Sequence, residues 1–235
     1  MRIAMWSGPR NLSTAMMYSF AARGDCAVWD EPFYAPYLAL TGLNHPVTAE
    51  ITAAHDTDAD RVAAACVGPI PDGKPHFYMK HMPHHMIDGV PTGWISECVN
   101  IHLIRHPARV IASYVAKRQS PTLDDIGFRQ QLALYERFGG VVVDSFDIRA
   151  NPEQMLQKLC AEIGLPFTPD MLHWPVGGLP EDGIWAHHWY GAVHKSQGFA
   201  GTEGALPNLP DSLEPLCAAA LPAYEALRSK ILLPY

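Results

Sequence analysis

Short apolar runs, each closed by a polar or proline-containing turn, alternate along this chain with longer stretches of helical periodicity. Arg2–Trp6 is the first such run. It ends in Ser7-Gly8-Pro9-Arg10-Asn11, and a helical pattern follows from Leu12 to Arg23, ahead of Gly24, where a left-handed cap is expected. Asn11 stands where a side-chain oxygen caps that helix. Residues 26–29, 76–79, 99–104 and 141–143 read as four further strands, and 58–66, 108–117, 152–163 and 213–231 as helices. Three of these strands close on charged residues followed by proline: Asp30-Glu31-Pro32, Lys80-His81-Met82-Pro83 and Arg105-His106-Pro107. An interior strand does not accept proline, so Glu31 belongs to a strand end, and Pro107 suits the first position of the next helix.

Strands alternating with helices predict an α/β fold: a doubly wound, mainly parallel sheet flanked by helices. Ligands of such sheets bind beyond the carboxyl ends of the strands, and the polar residues named above all fall there. With 235 residues, 48% of them hydrophobic, the chain can build one core, so a single domain over 1–235 is expected. Residues 168–210 are dense in Pro, Gly, Trp and His and read as an irregular cover over the site, because linkers lack that aromatic content.

A net charge of -7 argues against a basic surface for nucleic acid, although a local cluster of arginine, hydroxyls and backbone N–H groups can still hold a small anion. No run approaches the ~18 apolar residues of a membrane span, and the first apolar run stops too early for a secretory signal. Five cysteines, odd in number and without C-x-x-C spacing, fit buried thiols in a reducing compartment, so a cytoplasmic protein is expected. The histidines form no zinc pattern, and no metal is expected. The oligomeric state stays open, with a homo-oligomer compatible with the sequence.

The loop Gly8-Pro9-Arg10-Asn11-Leu12-Ser13-Thr14, set between a strand and a helix, brings backbone N–H groups and two hydroxyls to the positive end of the helix dipole. Counted from Gly8, a nucleotide-triphosphatase loop G-x-x-x-x-G-K-[ST] would need Gly and Lys where Ser13 and Thr14 stand. On the residues alone, an anion cradle and an ordinary turn with a surface arginine both fit.

The loop with Arg10, Ser13 and Thr14 resembles the 5'-phosphosulfate loop of sulfotransferases. Arg105-His106-Pro107 and the helix carrying Ser113 resemble that family's 3'-phosphate motif, in sequence order, spacing and preceding strand. The resemblance covers the first half of the chain, to about Lys117. It implies a P-loop-like sulfotransferase fold and 3'-phosphoadenosine 5'-phosphosulfate as co-substrate. The 5' end would be held by Gly8 to Thr14 and the 3'-phosphate by Arg105 and Ser113. Arginine presents the planar fork that phosphate accepts.

Glu31-Pro32 resembles the Glu-Pro element of carbohydrate sulfotransferases, and Lys80-His81-Met82-Pro83 the Lys/His strand end of cytosolic ones. Glu31 or His81 would then take the acceptor proton, with Lys80 and Arg10 neutralising charge as the S–O bond breaks. Lys195, in Lys195-Ser196-Gln197-Gly198, is similar to a basic loop closing over the donor. Trp185, Trp189, Tyr190 and Phe199 suit stacking on adenine or an acceptor wall. The acceptor would be a small or carbohydrate-like hydroxyl compound or an amine. An atypical ATP-binding phosphotransferase and a catalytically silent nucleotide-binding protein are the competing readings.

Overall fold

The computed structural model describes residues 1–116 and 120–233. Strands β1 (Arg2–Trp6), β2 (Cys26–Asp30), β3 (His76–His81), β4 (Val99–Ile104) and β5 (Val141–Asp144) form one sheet in the order β2-β3-β1-β4-β5, with every neighbouring pair parallel. The central strand β1 shows why its sequence does not alternate. Ile3, Ala4, Met5 and Trp6 are all fully buried, because helices cover both faces.

On one face Ile3 and Met5 pack with Met16 and Phe20 of the helix Ser13–Ala22 and with Leu156 of the helix Pro152–Glu162. On the other, Ala4 and Trp6 meet Phe77, Met79, Val62 of the helix Ala59–Val67, and Trp94. Towards β5, Ile104 and Val142 lie under the helices Pro107–Val115 and Glu214–Arg228. No helix among the described residues is long and apolar enough to cross a membrane.

Several local expectations change. Asn11 is not a cap: its side-chain amide donates to the Leu103 carbonyl at 3.3 Å, and the cap position falls to Leu12 at φ 78. With Arg10 also at φ 64, the loop turns Asn11 inward against β4 and away from the helix it precedes. β3 runs on through Lys80 and His81, the residues read as its terminator, and both are buried.

The helix Tyr34–Thr41 gave no periodic signal because Tyr34, Ala35, Pro36, Tyr37 and Leu38 are buried consecutively, leaving no polar stripe. The helix Phe128–Phe138 begins at Gly127 without a side-chain cap, so its start signal is missing from the sequence. The helix Thr48–Ala54 was likewise not among the expected elements. Lys117, the expected end of the helix beginning near Ala108, lies outside the described residues.

Candidate active site

The carboxyl ends of β1, β2, β3 and β4 open into a cavity of about 290 Å³. Its floor is the loop Pro9–Thr14 and its walls are Glu31, Lys80, Met82, Arg105 and Ser113. The lid comes from the cover segment through Trp189, Tyr190, Ala192, Val193, Ser196, Gly198 and Ala200. Gly8 does not line it. A Cβ there would stand 2.5 Å from the Ile126 carbonyl oxygen, so glycine lets the loop pass beneath the segment 123–126.

The loop is built for close approach. Arg10 and Leu12 hold left-handed backbone conformations that side chains rarely adopt, a strain sustained only by the surrounding contacts. The helix Ser13–Ala22 starts directly from this loop, so the unsatisfied N–H groups of its first turn face the cavity beside the Ser13 and Thr14 hydroxyls.

Arg10 Nε donates to Ser113 Oγ at 3.0 Å, and Arg105 Nη1 donates to the Arg10 carbonyl at 2.7 Å. The elements expected at the two ends of one nucleotide therefore touch. Burial and the neighbouring Arg105 charge lower the pKa of Arg10 below that of an ordinary arginine, the sign of a cation short of counter-charge. The second nitrogen of the Arg105 fork is engaged by Glu203, which also pairs with Arg109 at 3.0 Å and Arg149 at 2.7 Å.

A second polar group lies in the wall. Lys80, fully buried, donates from Nζ to Asp30 Oδ1 at 2.8 Å, to Glu31 Oε1 at 2.7 Å and to the Tyr190 hydroxyl. Tyr190 donates to Asp30 at 2.8 Å and accepts from Trp185 Nε1 at 3.0 Å. Burial alone would lower the pKa of Lys80, but the Asp30 and Glu31 carboxylates outweigh it and raise it, so the ammonium stays charged. Burial raises Glu31, helped by Asp30 and opposed by Lys80. Glu31 also adopts φ 45, which carries its carboxylate out of line with β2 and into the cavity wall.

A smaller cavity of about 70 Å³ adjoins the first and shares Pro9, Arg10, Glu31, Met82 and Trp189 with it; Tyr34, His45, His84, His85, Tyr114 and Asp125 complete its walls. Arg10 and Glu31 thus stand between two chambers. His81 lines neither. It stacks on Trp6 at 4.7 Å between ring centroids, and burial depresses its pKa to about 3. Lys195 is exposed next to the lining residue Ser196.

Asp30, Arg109, Arg149 and Glu203 were not singled out by sequence, and Tyr190 was read as a stacking ring rather than as a buried hydroxyl. Arg109 had a signal, since it falls four residues before Ser113 on the same helix face. Glu203 and Tyr190 had none, because Arg105 and Lys80, which they meet at the site, lie 98 and 110 residues away in sequence.

Two curated relatives from Arabidopsis thaliana, named branched-chain-amino-acid aminotransferase-like proteins 1 and 2, are each 33% identical to this chain, over 97% and 96% of its length. The chain spans 42% and 41% of the length of those proteins. Among solved structures, the sulfotransferase domain from the curacin biosynthetic pathway aligns at 16% identity with a TM-score of 0.48, covering 93% of this chain and 96% of that one. The sulfotransferase domain from the Synechococcus PCC 7002 olefin synthase aligns at 15% with a TM-score of 0.45, covering 93% of each chain. The sulfotransferase domain family matches residues 1–231, essentially the whole of the sequence and far beyond the half that carried the motifs, and the chain belongs to that family.

Proposed function

We propose that this chain transfers a sulfuryl group from 3'-phosphoadenosine 5'-phosphosulfate to a hydroxyl of a small or carbohydrate-like acceptor. The observation that carries this reading is the meeting of the loop Pro9–Thr14, Arg105 and Ser113 at one cavity whose wall holds a buried Lys80–Glu31 pair. The groups on the floor are cations, hydroxyls and helix N–H groups, a donor set suited to a polyanion. When bound, the donor supplies an S–O bond to a phosphate leaving group.

In this reading the first helical turn with Ser13 and Thr14 holds the 5' end, while Arg105 and Ser113 take the 3'-phosphate. Asn11 and Leu12 shape the floor, and Gly8 and Pro9 let it pack. Lys80 and Arg10 offset negative charge growing on the bridging oxygen. Glu31 takes the acceptor proton, because it faces both chambers, whereas His81 faces neither. An alcohol needs such a base in the transition state. The smaller chamber receives the acceptor, and Lys195 at the rim lies where a basic side chain reaches a bound donor. The five free cysteines, four of them buried, suit a reducing, cytoplasmic setting.

Calorimetry with adenosine 3',5'-bisphosphate and adenosine 5'-monophosphate tests the donor assignment. The bisphosphate is expected to bind more tightly, by about 1.5–3 kcal/mol for a charge-assisted pair, and Arg105→Ala to abolish the difference. Equal binding by the unaltered chain refutes the assignment, and magnesium-dependent ATP binding in its place would favour the phosphotransferase reading.

A further inference from the structure

Glu203 belongs to none of the motifs above, yet its carboxylate is only 1% exposed and is met by Arg105, Arg109 and Arg149. The same guanidiniums hold the chain around it: Arg149 Nε donates to the Gly201 carbonyl at 2.9 Å, and Arg109 donates to the Gly204 carbonyl. Residues 199–210 contain no helix or strand; Ala200 of this segment lines the cavity at the strand ends, and Glu203 and Gly204 line a neighbouring cavity of about 590 Å³ with Arg109. Phe199 and Leu209 anchor the two ends of this segment in apolar clusters, and between them the arginine contacts tie it to the sheet end. One carboxylate facing three guanidiniums leaves a formal excess of two positive charges, and Arg105 Nε is buried without a hydrogen-bond partner. A phosphate monoester, with about -1.5 to -2 charges and three acceptor oxygens, matches that excess better than a carboxylate does.

We propose that Glu203 occupies, in the free protein, the subsite that the donor's 3'-phosphate takes, and that this phosphate must displace it. Glu203 is thereby a donor-selectivity residue. The inference rests on the donor reading above, since it concerns the same Arg105. A nucleotide lacking the 3'-phosphate leaves Glu203 and the segment 200–204 in place. The dianion breaks the Glu203 contacts, takes over the guanidinium fork and frees the segment, and apparent affinity is reduced by the share of molecules in which Glu203 holds the fork.

The test is calorimetry on the full chain and on Glu203→Gln, an isosteric change that removes the competing charge. Glu203→Gln is expected to bind adenosine 3',5'-bisphosphate about tenfold more tightly than the unaltered chain, with adenosine 5'-monophosphate unchanged. Hydrogen exchange on the unaltered chain supplies a readout that no substitution can disturb: amides of 200–204 should exchange faster when the bisphosphate is bound. A bisphosphate preference that is equal or weaker in Glu203→Gln, or slower exchange at 200–204 on binding, overturns the displacement and makes Glu203 an orienting residue, with the donor reading intact. No preference for the bisphosphate in either protein overturns both.

Discussion

Glu31 sits at φ 45 with its carboxylate in a buried cavity wall, a strained backbone that persists because Lys80, Asp30 and Tyr190 fix what surrounds it. In the proposed function, strain at a residue facing two chambers belongs to its role as the base. Glu31→Gln is expected to lower kcat by about 10²–10⁴ while leaving bisphosphate affinity nearly unchanged, as measured by steady-state kinetics beside calorimetry. A base must be ionised to act, and burial raises this carboxyl, so the acid limb of kcat should lie above the ordinary glutamate value of about 4.3 and disappear in the variant. Lys80→Met removes the one ammonium between two buried carboxylates and is expected to cost about 3–5 kcal/mol in denaturant unfolding. Sequence marked Glu31 and Lys80 through the strand ends that carry them. It passed over Asp30 because an acidic neighbour at a turn is ordinarily solvated, and only the pairing of Asp30 with Lys80 across β2 and β3 makes it part of the site.

At the scale of elements, the strands were legible because a sheet covered on both faces writes short continuous apolar runs between breakers, and β1, β4 and β5 were found almost to the residue. Helices were legible when amphipathic and capped. Tyr34–Thr41, buried nearly all round, and Phe128–Phe138, opened by a glycine, lacked one signal or the other. β3 was cut short because a lysine and a histidine read as polar punctuation, whereas in the fold they are interior residues. His81 has a physical consequence of its own. Burial depresses it to about 3, and His102 on β4 to about 4, while an unfolded chain titrates histidine near 6.5. Folded-state values below the unfolded one mean stability that is present above pH 6.5 and lost as pH falls towards 3–4, since the unfolded chain binds the extra protons. Between pH 6.5 and 4, His81 alone should remove roughly 3 kcal/mol, read as a falling urea midpoint. His81→Gln, which cannot titrate, should flatten that fall; an unchanged slope would mean that other groups drive it.

For the whole molecule, the alternation of strands and helices foretold a parallel sheet but not its order, because β2-β3-β1-β4-β5 is set by which crossovers pack against which face. Nor could sequence show how the cover joins the sheet. That join is apolar where Trp174 and Trp185 enter the core clusters and polar at the cavity, where the Gly183 amide donates to Asp30 at 3.0 Å and Tyr190 reaches Asp30 and Lys80, so the groups that set the charge of the cavity wall also dock the lid. Under the proposed function a chain of net charge -7 would hold a polyanion, and this arrangement favours that, because excluding water strengthens the cations placed at the cavity. Tyr190→Phe keeps the ring and the Lys80–Asp30 pair but removes the hydroxyl that ties the lid. It is expected to cost about 1–3 kcal/mol, a fall in Tm of roughly 2–12 °C for a chain of this size. If the tie is local, hydrogen exchange should quicken in 183–190 well before it does in β1, and donor hydrolysis without acceptor should rise as water enters. Quickening spread evenly over both regions would instead make Tyr190 part of the global core, and the lid would owe its position to apolar packing around Trp185.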